Sequence, residues 1–309
     1  MIKSKLSIAA VLILVAVLAF TLVGCEPDEV DPNDVDPSEE VKGELEILYV
    51  EWECATASTY VAKAALEDMG YEVDTTAVAA AMMWSGLATG DGDFITCAWL
   101  PGTHAEYYDE YGDDVVEVST HYEGAQIGLV APAYMDIESI EEVDDYVDNI
   151  TGIDPGAGIM DAAEQAVDNY NLDAGLIEGS DAAMTAELST AYANEEDIIV
   201  TGWAPHWKFA EWELKFLEDP DEVFGGEEYI ANIARPGLEE DMPEVYDFLE
   251  NFYWGDTEIG EVMDMNAEDP DFEGNARQWV QDNQDIVQGW TQKNNCKKIT
   301  ASKKAVNLK

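Results

Sequence analysis

Basic side chains are scarce in this sequence. It has 14 lysines and arginines against 67 aspartates and glutamates, a net charge of −53 over 309 residues. A phosphate backbone needs a basic face, so nucleic acid is excluded as a partner. The acidity fits either a cation-binding surface or the solvated surface of a halophile's protein. We favour the second, because high salt screens the self-repulsion.

Cysteine is also rare, with four in the chain. Their spacing forms neither a disulfide framework nor a metal-binding motif, so we expect no metal site. Cys25 ends the N-terminal segment and Cys296 lies near the C-terminus. Cys54 and Cys97 can pair in an exported protein, and the sequence leaves that pairing open.

The longest apolar run lies at the N-terminus. Residues 6–22 are almost wholly apolar, two lysines precede them, and Val-Gly-Cys25 follows, which is typical of an export signal over residues 1–25. The stretch LVGC resembles the bacterial lipobox, so we expect Cys25 to be lipidated and the protein to be anchored outside the cytoplasm; a plain membrane anchor or an uncleaved signal is the alternative. Residues 26–43 are an acidic tether without aromatic residues, expected to stay disordered.

Alternating strand and helix patterns predict an α/β fold. Strand patterns at 44–50 and 71–74 flank a helix predicted over 58–69 and capped by its first residue. The same order recurs with a strand at 149–153 and a helix over 160–170. The chain therefore repeats one strand, loop and helix design.

An internal similarity supports two lobes of related design. Segments 79–104 and 180–207 each contain a helix of small residues and methionine, followed by a strand that begins at an aspartate and ends at a tryptophan, Trp99 or Trp203. Segments 127–134 and 229–235 are the expected strands that cross between the lobes. The predicted domains are lobe A at 44–130 plus 232–292, lobe B at 131–231, and a basic tail at 293–309.

Three tryptophans are predicted to meet in one cleft. Ligands bind α/β sheets outside the carboxyl ends of the strands, and such ends lead to Trp52, Trp99 and Trp203. One tryptophan alone is more typical of a core, but three at equivalent ends indicate a site. Indole faces attract a quaternary ammonium by ~0.5–2 kcal/mol each. In brine they avoid the competition from Na⁺ or K⁺ that a carboxylate would meet.

A loop on the second lobe is suited to an anion. Residues 154–159, DPGAGI, lead into a helix, so backbone N–H groups and the helix dipole can face a carboxylate. Asp161 stands where a dinucleotide fingerprint needs a third glycine, which argues against NAD. His104 is either structural or a further donor. A cation joined to a carboxylate is a betaine.

Five motifs of the sequence resemble those of a known family. The chain is similar, from about residue 45 to 292, to the glycine betaine binding subunits of ABC importers, the OpuAC and ProX-like group. The motifs that carry this resemblance are YVEWECATAS (49–58), AWLPGTH (98–104), GLVAPAY (128–134), GIDPGAGIM (152–160) and TGWAPHW (201–207).

The resemblance implies a type II periplasmic-binding fold, two α/β lobes joined by two crossover strands. It also implies capture of glycine betaine or proline betaine for osmoprotectant uptake, with permease and ATPase subunits as partners and no cofactor. The implied cage is Trp52, Trp99 and Trp203, and the implied carboxylate contacts are His104, Gly158 and Ile159. Within TGWAPHW, Trp203 is then the wall of the cage, and His206 and Trp207 support it.

Three alternatives remain beside this interpretation. A choline or carnitine binder of the same fold is the nearest. A secreted hydrolase of choline-like esters needs a nucleophile such as Cys54 or Ser58 near His104, but no nucleophile elbow is present. We therefore predict no enzyme and no catalytic residue. An acidic adhesion lipoprotein leaves the paired tryptophans unexplained, and no function is assigned to the tail 293–309.

Overall fold

The computed structural model describes residues 41–291. The predicted signal peptide with Cys25, the tether as far as residue 40, and the basic tail 293–309 lie outside these residues. Between residues 41 and 291, no helix combines the length and the apolar character that crossing a bilayer requires.

Strands and helices alternate through most of the described chain. The strands are β1 (Glu44–Tyr49), β2 (Glu72–Ala77), β3 (Phe94–Leu100), β4 (Val116–Pro132), β5 (Asn149–Thr151), β6 (Gly175–Ile177), β7 (Val200–Ala204), β8 (Leu214–Phe216) and β9 (Glu228–Ala234). The helices are α1 (Glu53–Asp68), α2 (Ala80–Thr89), α3 (Ala105–Tyr111), α4 (Gly158–Tyr170), α5 (Asp181–Asn194), α6 (Lys208–Glu211), α7 (Leu238–Asp241), α8 (Pro243–Asn251), α9 (Asp256–Glu268), α10 (Phe272–Asp282) and α11 (Gln284–Thr291). Two 3₁₀ turns lie at Gly112–Asp114 and Ile140–Asp145.

The long strand β4 joins two halves of one mixed sheet. The strand order is β2-β1-β3-β9-β4-β7-β5-β6, with β8 also beside β4. The first part of β4, residues 116–125, pairs with β9, and residues 126–130 pair with β7. We refer to the half with β1, β2, β3 and β9 as lobe A and to the half with β5 to β8 as lobe B. The chain thus passes between the lobes within β4 and again just before β9.

The first helix begins earlier than its capping pattern predicts. We expected a helix from residue 58, capped by Ser58, but α1 starts at Glu53 with Trp52 at its N-cap. Ser58 is buried inside the helix, and its hydroxyl donates to the Cys54 carbonyl at 2.8 Å. The hydroxyl is satisfied by the preceding turn and so does not mark a helix start. The small residues around it pack into the core.

The second predicted helix also starts earlier. α4 begins at Gly158, two residues before the predicted start at 160. The strands predicted at 44–50, 71–74 and 149–153 are confirmed as β1, β2 and β5, with ends that differ by up to three residues. The earlier start of α4 matters for function, because it makes Gly158 and Ile159 the first two residues of a helix.

A buried amide connects the crossing strands to the helical layer of lobe A. The Nδ2 group of Asn232, on β9, donates to Ser119 Oγ at 3.0 Å and to the carbonyls of Leu249 and Phe252 at 3.2 and 3.3 Å. Its Oδ1 lies 3.0 Å from Nδ1 of buried His121. Backbone carbonyls at the end of α8 are therefore satisfied by side chains of the sheet, the Leu249 carbonyl by Ser119 as well as by Asn232.

Replacing this amide should destabilise the fold. We expect Asn232→Ala to lower the free energy of unfolding by about 2–4 kcal/mol, because the Phe252 carbonyl and His121 lose the contact with Asn232 and the Leu249 carbonyl keeps only the Ser119 hydroxyl. Urea unfolding followed by circular dichroism measures this. Asn169→Ala, which removes an exposed amide contact with Asp221, is the control and should change stability by less than about 0.5 kcal/mol. Equal urea midpoints of unfolding for the two variants would contradict the stabilising role of Asn232.

Candidate ligand-binding site

A cavity of about 310 Å³ lies between the lobes. All six residues predicted to bind ligand line it, three tryptophans from strand ends, one histidine and the start of one helix: Trp52, Trp99, Trp203, His104, Gly158 and Ile159. The sequence reasoning did not include the other lining residues, which are Cys54, Thr103, Ile127, Ile153 and Ala157.

The three tryptophans reach the cavity from both lobes. Trp52 follows β1 and Trp99 lies near the end of β3, both in lobe A, whereas Trp203 lies in β7 of lobe B. Their exposed fractions are only 6%, 3% and 4%. Because all three also border the cavity, their buried rings bound an internal space between the lobes.

A carboxylate from the opposite lobe orients Trp52. The indole Nε1–H donates to Asp154 Oδ2 at 3.3 Å. Asp154 precedes α4 in lobe B, whereas Trp52 is at the start of α1 in lobe A. The sequence assigned loop 154–159 to an anion through its backbone and gave no role to this side chain.

His206 and Lys208 support Trp203 from behind. The His206 ring meets Trp203 edge to face at a centroid distance of 5.0 Å. The Lys208 ammonium lies over the Trp203 ring, 4.0 Å from its centroid, and Lys208 does not line the cavity. The Trp207 ring contacts His206 in a tilted arrangement, at a centroid distance of 5.6 Å. A fully buried lysine is uncommon, and nothing in the sequence singled it out.

His104 is a neutral hydrogen-bond donor. Its Nδ1 accepts the Trp99 N–H at 3.1 Å, so its proton is on Nε2. Burial lowers the pKa of His104 to about 3, and the ring stays neutral at physiological pH. Among residues 41–291 the buried Nε2 has no hydrogen-bond partner. A ligand acceptor in the cavity would supply one.

A buried glutamate holds the loop that carries His104. Glu228, at the start of β9, accepts the N–H groups of Gly102 and Thr103 at 2.7 and 2.6 Å and also the Thr103 hydroxyl. It is only 5% exposed, although most glutamates are solvated. This contact fixes the approach of Thr103 to the other lobe, and sequence reasoning missed it.

The N-terminus of α4 points a partial positive charge at the cavity. Gly158 and Ile159 are its first two residues, and the first N–H groups of a helix have no acceptor within it. The N-cap residue, Ala157, has no side chain that can accept them. With the helix dipole, this end suits a carboxylate.

Only glycine fits at position 158. A Cβ built there would lie 1.8 Å from the carbonyl oxygen of Thr103, on the opposite lobe. Nearby, the Tyr107 hydroxyl of lobe A donates to the Gly156 carbonyl of lobe B at 2.7 Å. The lobes are therefore in direct contact beside the cavity, in a closed arrangement.

The two cysteines of the described region are both buried and free. A thiol hydrogen bond with Cys97, together with burial, raises the pKa of Cys54. The disulfide that the sequence left open is not formed. No group of three or more histidine, cysteine, aspartate or glutamate side chains within residues 41–291 is placed to hold a metal ion.

The lobes, the crossing strands and the enclosed cavity define a class of protein, the two-lobed solute-binding proteins of the type II periplasmic-binding fold. The chain belongs, more narrowly, to the family described as OpuAC, the substrate binding domain of the ABC-type glycine betaine transport system, whose model matches residues 43–282. This is a family of transport domains, and its members act outside the cytoplasm.

Individual relatives agree with this family. A segment of 145 residues is 46% identical to the glycine betaine/carnitine transport binding protein GbuC of Listeria monocytogenes serotype 1/2a (strain 10403S). It covers 46% of this chain and 48% of that relative, about half of its length.

Solved structures resemble most of the chain. Lactococcal OpuAC, in its closed conformation with glycine betaine, is 36% identical with a TM-score of 0.78, over 81% of this chain and 100% of that one. ProX from Borrelia burgdorferi is 35% identical with a TM-score of 0.78, over 81% and 97%. A choline binding protein in complex with choline is 26% identical with a TM-score of 0.75, over 80% and 91%.

A methyl group at position 158 should oppose closure of the lobes. We expect Gly158→Ala to weaken ligand binding at least about tenfold, because Thr103 cannot approach, with little loss of stability in the ligand-free protein. Calorimetric titration with glycine betaine measures the affinity. Gly260→Ala is the matched control, since its Cβ meets open space on α9. Similar affinities for both variants would refute this role of Gly158.

Proposed function

We propose that the protein captures glycine betaine, or proline betaine, and delivers it to the permease and ATPase subunits of an ABC importer for osmoprotection. The observation that carries this proposal is the cavity itself, where three indoles lie beside one unpaired N–H donor and an uncapped helix N-terminus. Two solved structures that resemble this chain are complexes, one with glycine betaine and one with choline.

The cavity matches a betaine at both ends. Trp52, Trp99 and Trp203 would surround the trimethylammonium group, which has no N–H to satisfy and gains ~0.5–2 kcal/mol per aromatic face. His104 and the N–H groups of Gly158 and Ile159 would bind the carboxylate, at ~1.5–3 kcal/mol for each charge-assisted bond. After the costs of ordering, roughly micromolar affinity follows.

Lobe closure is the proposed mechanism. Lobe A would provide two cage walls and His104, and lobe B would provide Trp203 and the helix end. Each lobe then holds only part of the ligand, so the ligand binds the closed state more tightly and shifts the population toward it. The proposed boundaries are 44–130 plus 232–292 for lobe A and 131–231 for lobe B.

We further propose that a lipid on Cys25 tethers the protein to the outer face of the membrane. The segment before Cys25 has the pattern of an export signal, and residues 26–43 would separate the lobes from the bilayer. The acidic composition favours a halophilic setting, in which uptake of a compatible solute balances external salt.

The role is binding rather than catalysis. The Ser58 hydroxyl donates to the Cys54 carbonyl in the same helix, and the Cys54 thiol is buried with its pKa raised. Neither side chain has the features of an activated nucleophile. No residue is assigned a catalytic role.

A choline or carnitine binder is the second candidate. The structural similarity to a choline complex and the sequence similarity to a glycine betaine/carnitine binding protein both favour considering it. Choline shares the quaternary ammonium but has no carboxylate. His104 and the start of α4 therefore distinguish a betaine or carnitine from choline, because only a carboxylate ligand uses them fully.

Removing one cage wall should reduce the affinity sharply. We expect Trp203→Ala to weaken glycine betaine binding by roughly 10- to 100-fold, through loss of a cation–π face and of buried apolar area. Trp207→Phe is the matched control, because Trp207 contacts His206 and not the cavity. It should change affinity less than about threefold. Equal losses by titration calorimetry would show that the wall is assigned to the wrong residue.

His104→Ala should separate betaines from choline. We expect the variant to bind glycine betaine roughly tenfold or more weakly, because a charge-assisted hydrogen bond is lost, and to bind choline with little change. Calorimetry with glycine betaine, proline betaine and choline on the wild type and the variant measures both. A larger loss for choline would favour the choline binder, and no heat from any of the three at millimolar concentration would overturn the proposed function.

A further inference from the structure

Two carboxylate residues from opposite lobes meet beside the cavity. Glu53 is the first residue of α1 in lobe A, and Asp181 is the first residue of α5 in lobe B. The Glu53 N–H donates across the interface to Asp181 Oδ2 at 3.2 Å. Asp181 is only 2% exposed, and Glu53 is partly buried at the same interface between the lobes.

Asp181 keeps its negative charge in this interface. Its Oδ1 accepts a hydrogen bond from His206 Nε2 at 3.1 Å, and His206 Nδ1 accepts the Lys208 N–H at 3.1 Å, which fixes the tautomer. Burial alone would raise the pKa of Asp181, but His206, Lys208 and the Glu53 N–H together hold it below its ordinary value. Glu53 therefore lies next to a permanent buried anion.

One buried ammonium is near both carboxylates. Lys208 is fully buried, and its Nζ has no hydrogen-bond partner within residues 41–291. Its charge attracts both Asp181 and Glu53, but it forms a hydrogen bond with neither. Two carboxylates and one ammonium leave one net negative charge in this cluster at the interface, and a proton on Glu53 removes it.

We propose that Glu53 becomes a proton-binding site when the lobes close, so that the protein takes up a proton together with its ligand. This inference rests on the proposed function, because the ligand is what drives closure. When the lobes separate, Asp181 leaves with lobe B and Glu53 faces water as an ordinary carboxylate. The closed and open states then bind the proton with different affinity, which couples the two equilibria.

The direction of the effect follows from the closed state. Burial, followed by the charge of Asp181, raises the pKa of Glu53 from 4.5 to about 7 in the closed protein. Because the pKa of this acid is higher in the closed protein, closure takes up a proton at any pH between the open and closed pKa values. Closure is therefore favoured at low pH. Ligand affinity should fall as the pH rises from about 5 to about 7, and then level off.

Other titratable groups do not account for a change in this range. The groups that face Glu53 or lie on the adjoining surfaces are Glu51, Cys54, Asp154, Asp181, His206 and Lys208. Burial lowers the pKa of His206 to about 4 and that of His104 in the cavity to about 3. Burial lowers the pKa of Lys208 to about 8, so any proton that it loses on closure is lost mainly above about pH 7, and this loss has the opposite sign. A betaine itself has no group that titrates between pH 5 and 8.

Calorimetry in buffers of different ionisation enthalpy counts the protons. With glycine betaine and wild-type protein we expect uptake of most of one proton per ligand at about pH 6 and clearly less at about pH 7.5, with affinity roughly tenfold lower at the higher pH. Glu53→Gln keeps the size of the side chain and removes the titration. It should bind with pH-independent affinity and without proton uptake.

Glu51→Gln is the matched control. Glu51 is exposed and lies two residues before Glu53, just ahead of α1, and its variant should keep the proton uptake of the wild type. Ligand binding with no buffer-dependent heat in the wild type would overturn this inference and leave the proposed function intact, whatever the variants do. Proton uptake that persists in Glu53→Gln would also overturn it. Absence of any ligand binding would overturn both.

Discussion

The contact between Thr103 of lobe A and Gly158 of lobe B is the constraint on which the site depends. A carbonyl oxygen occupies the place where any other residue at 158 would put its Cβ, so the lobes approach to backbone distance. That approach brings the tryptophans of one lobe to the helix end of the other. Glu228, at the start of β9 in lobe A, fixes the Thr103 loop that makes this approach. Packed interfaces of this kind have discrete arrangements, which suits a protein that opens and closes.

The electrostatics of the site differ from those of the surface. The chain has a net charge of −53, yet the cavity is bounded by indole rings, a neutral imidazole and a helix N-terminus. A carboxylate in the cage would hold inorganic cations in salt, whereas an aromatic face selects a cation that is weakly hydrated. The carboxylates near the site contact the side chains that bound the cavity rather than the cavity itself. Asp154 orients the Trp52 indole, and Asp181 lies beneath His206, which packs on Trp203.

Much of the site could be predicted because its parts are local. Trp99, Trp203 and the loop before α4 each follow a strand, and strand patterns are visible in the order of apolar residues. The start of α1 was misplaced, since Ser58 has the chemistry of a cap but bonds back to Cys54 inside the helix. Asp154, Lys208 and Glu228 could not be found this way. Asp154 and Glu228 act through partners that are about 100 residues or more away in the chain. Lys208 is distinguished only by its burial, which is unusual for a lysine.

The sequence by itself determined the two related lobes, the three tryptophans at strand ends and the glycine-containing loop, because helix and strand periodicity and turn residues act over short distances. It also carried five motifs specific enough to indicate the family. Only the tertiary structure decided that Cys54 and Cys97 remain free thiols, that the proton of His104 is on Nε2, and that Glu53 faces Asp181 across the interface. Each of these is set by which atoms meet when the lobes close, and a linear order of residues does not specify those distances.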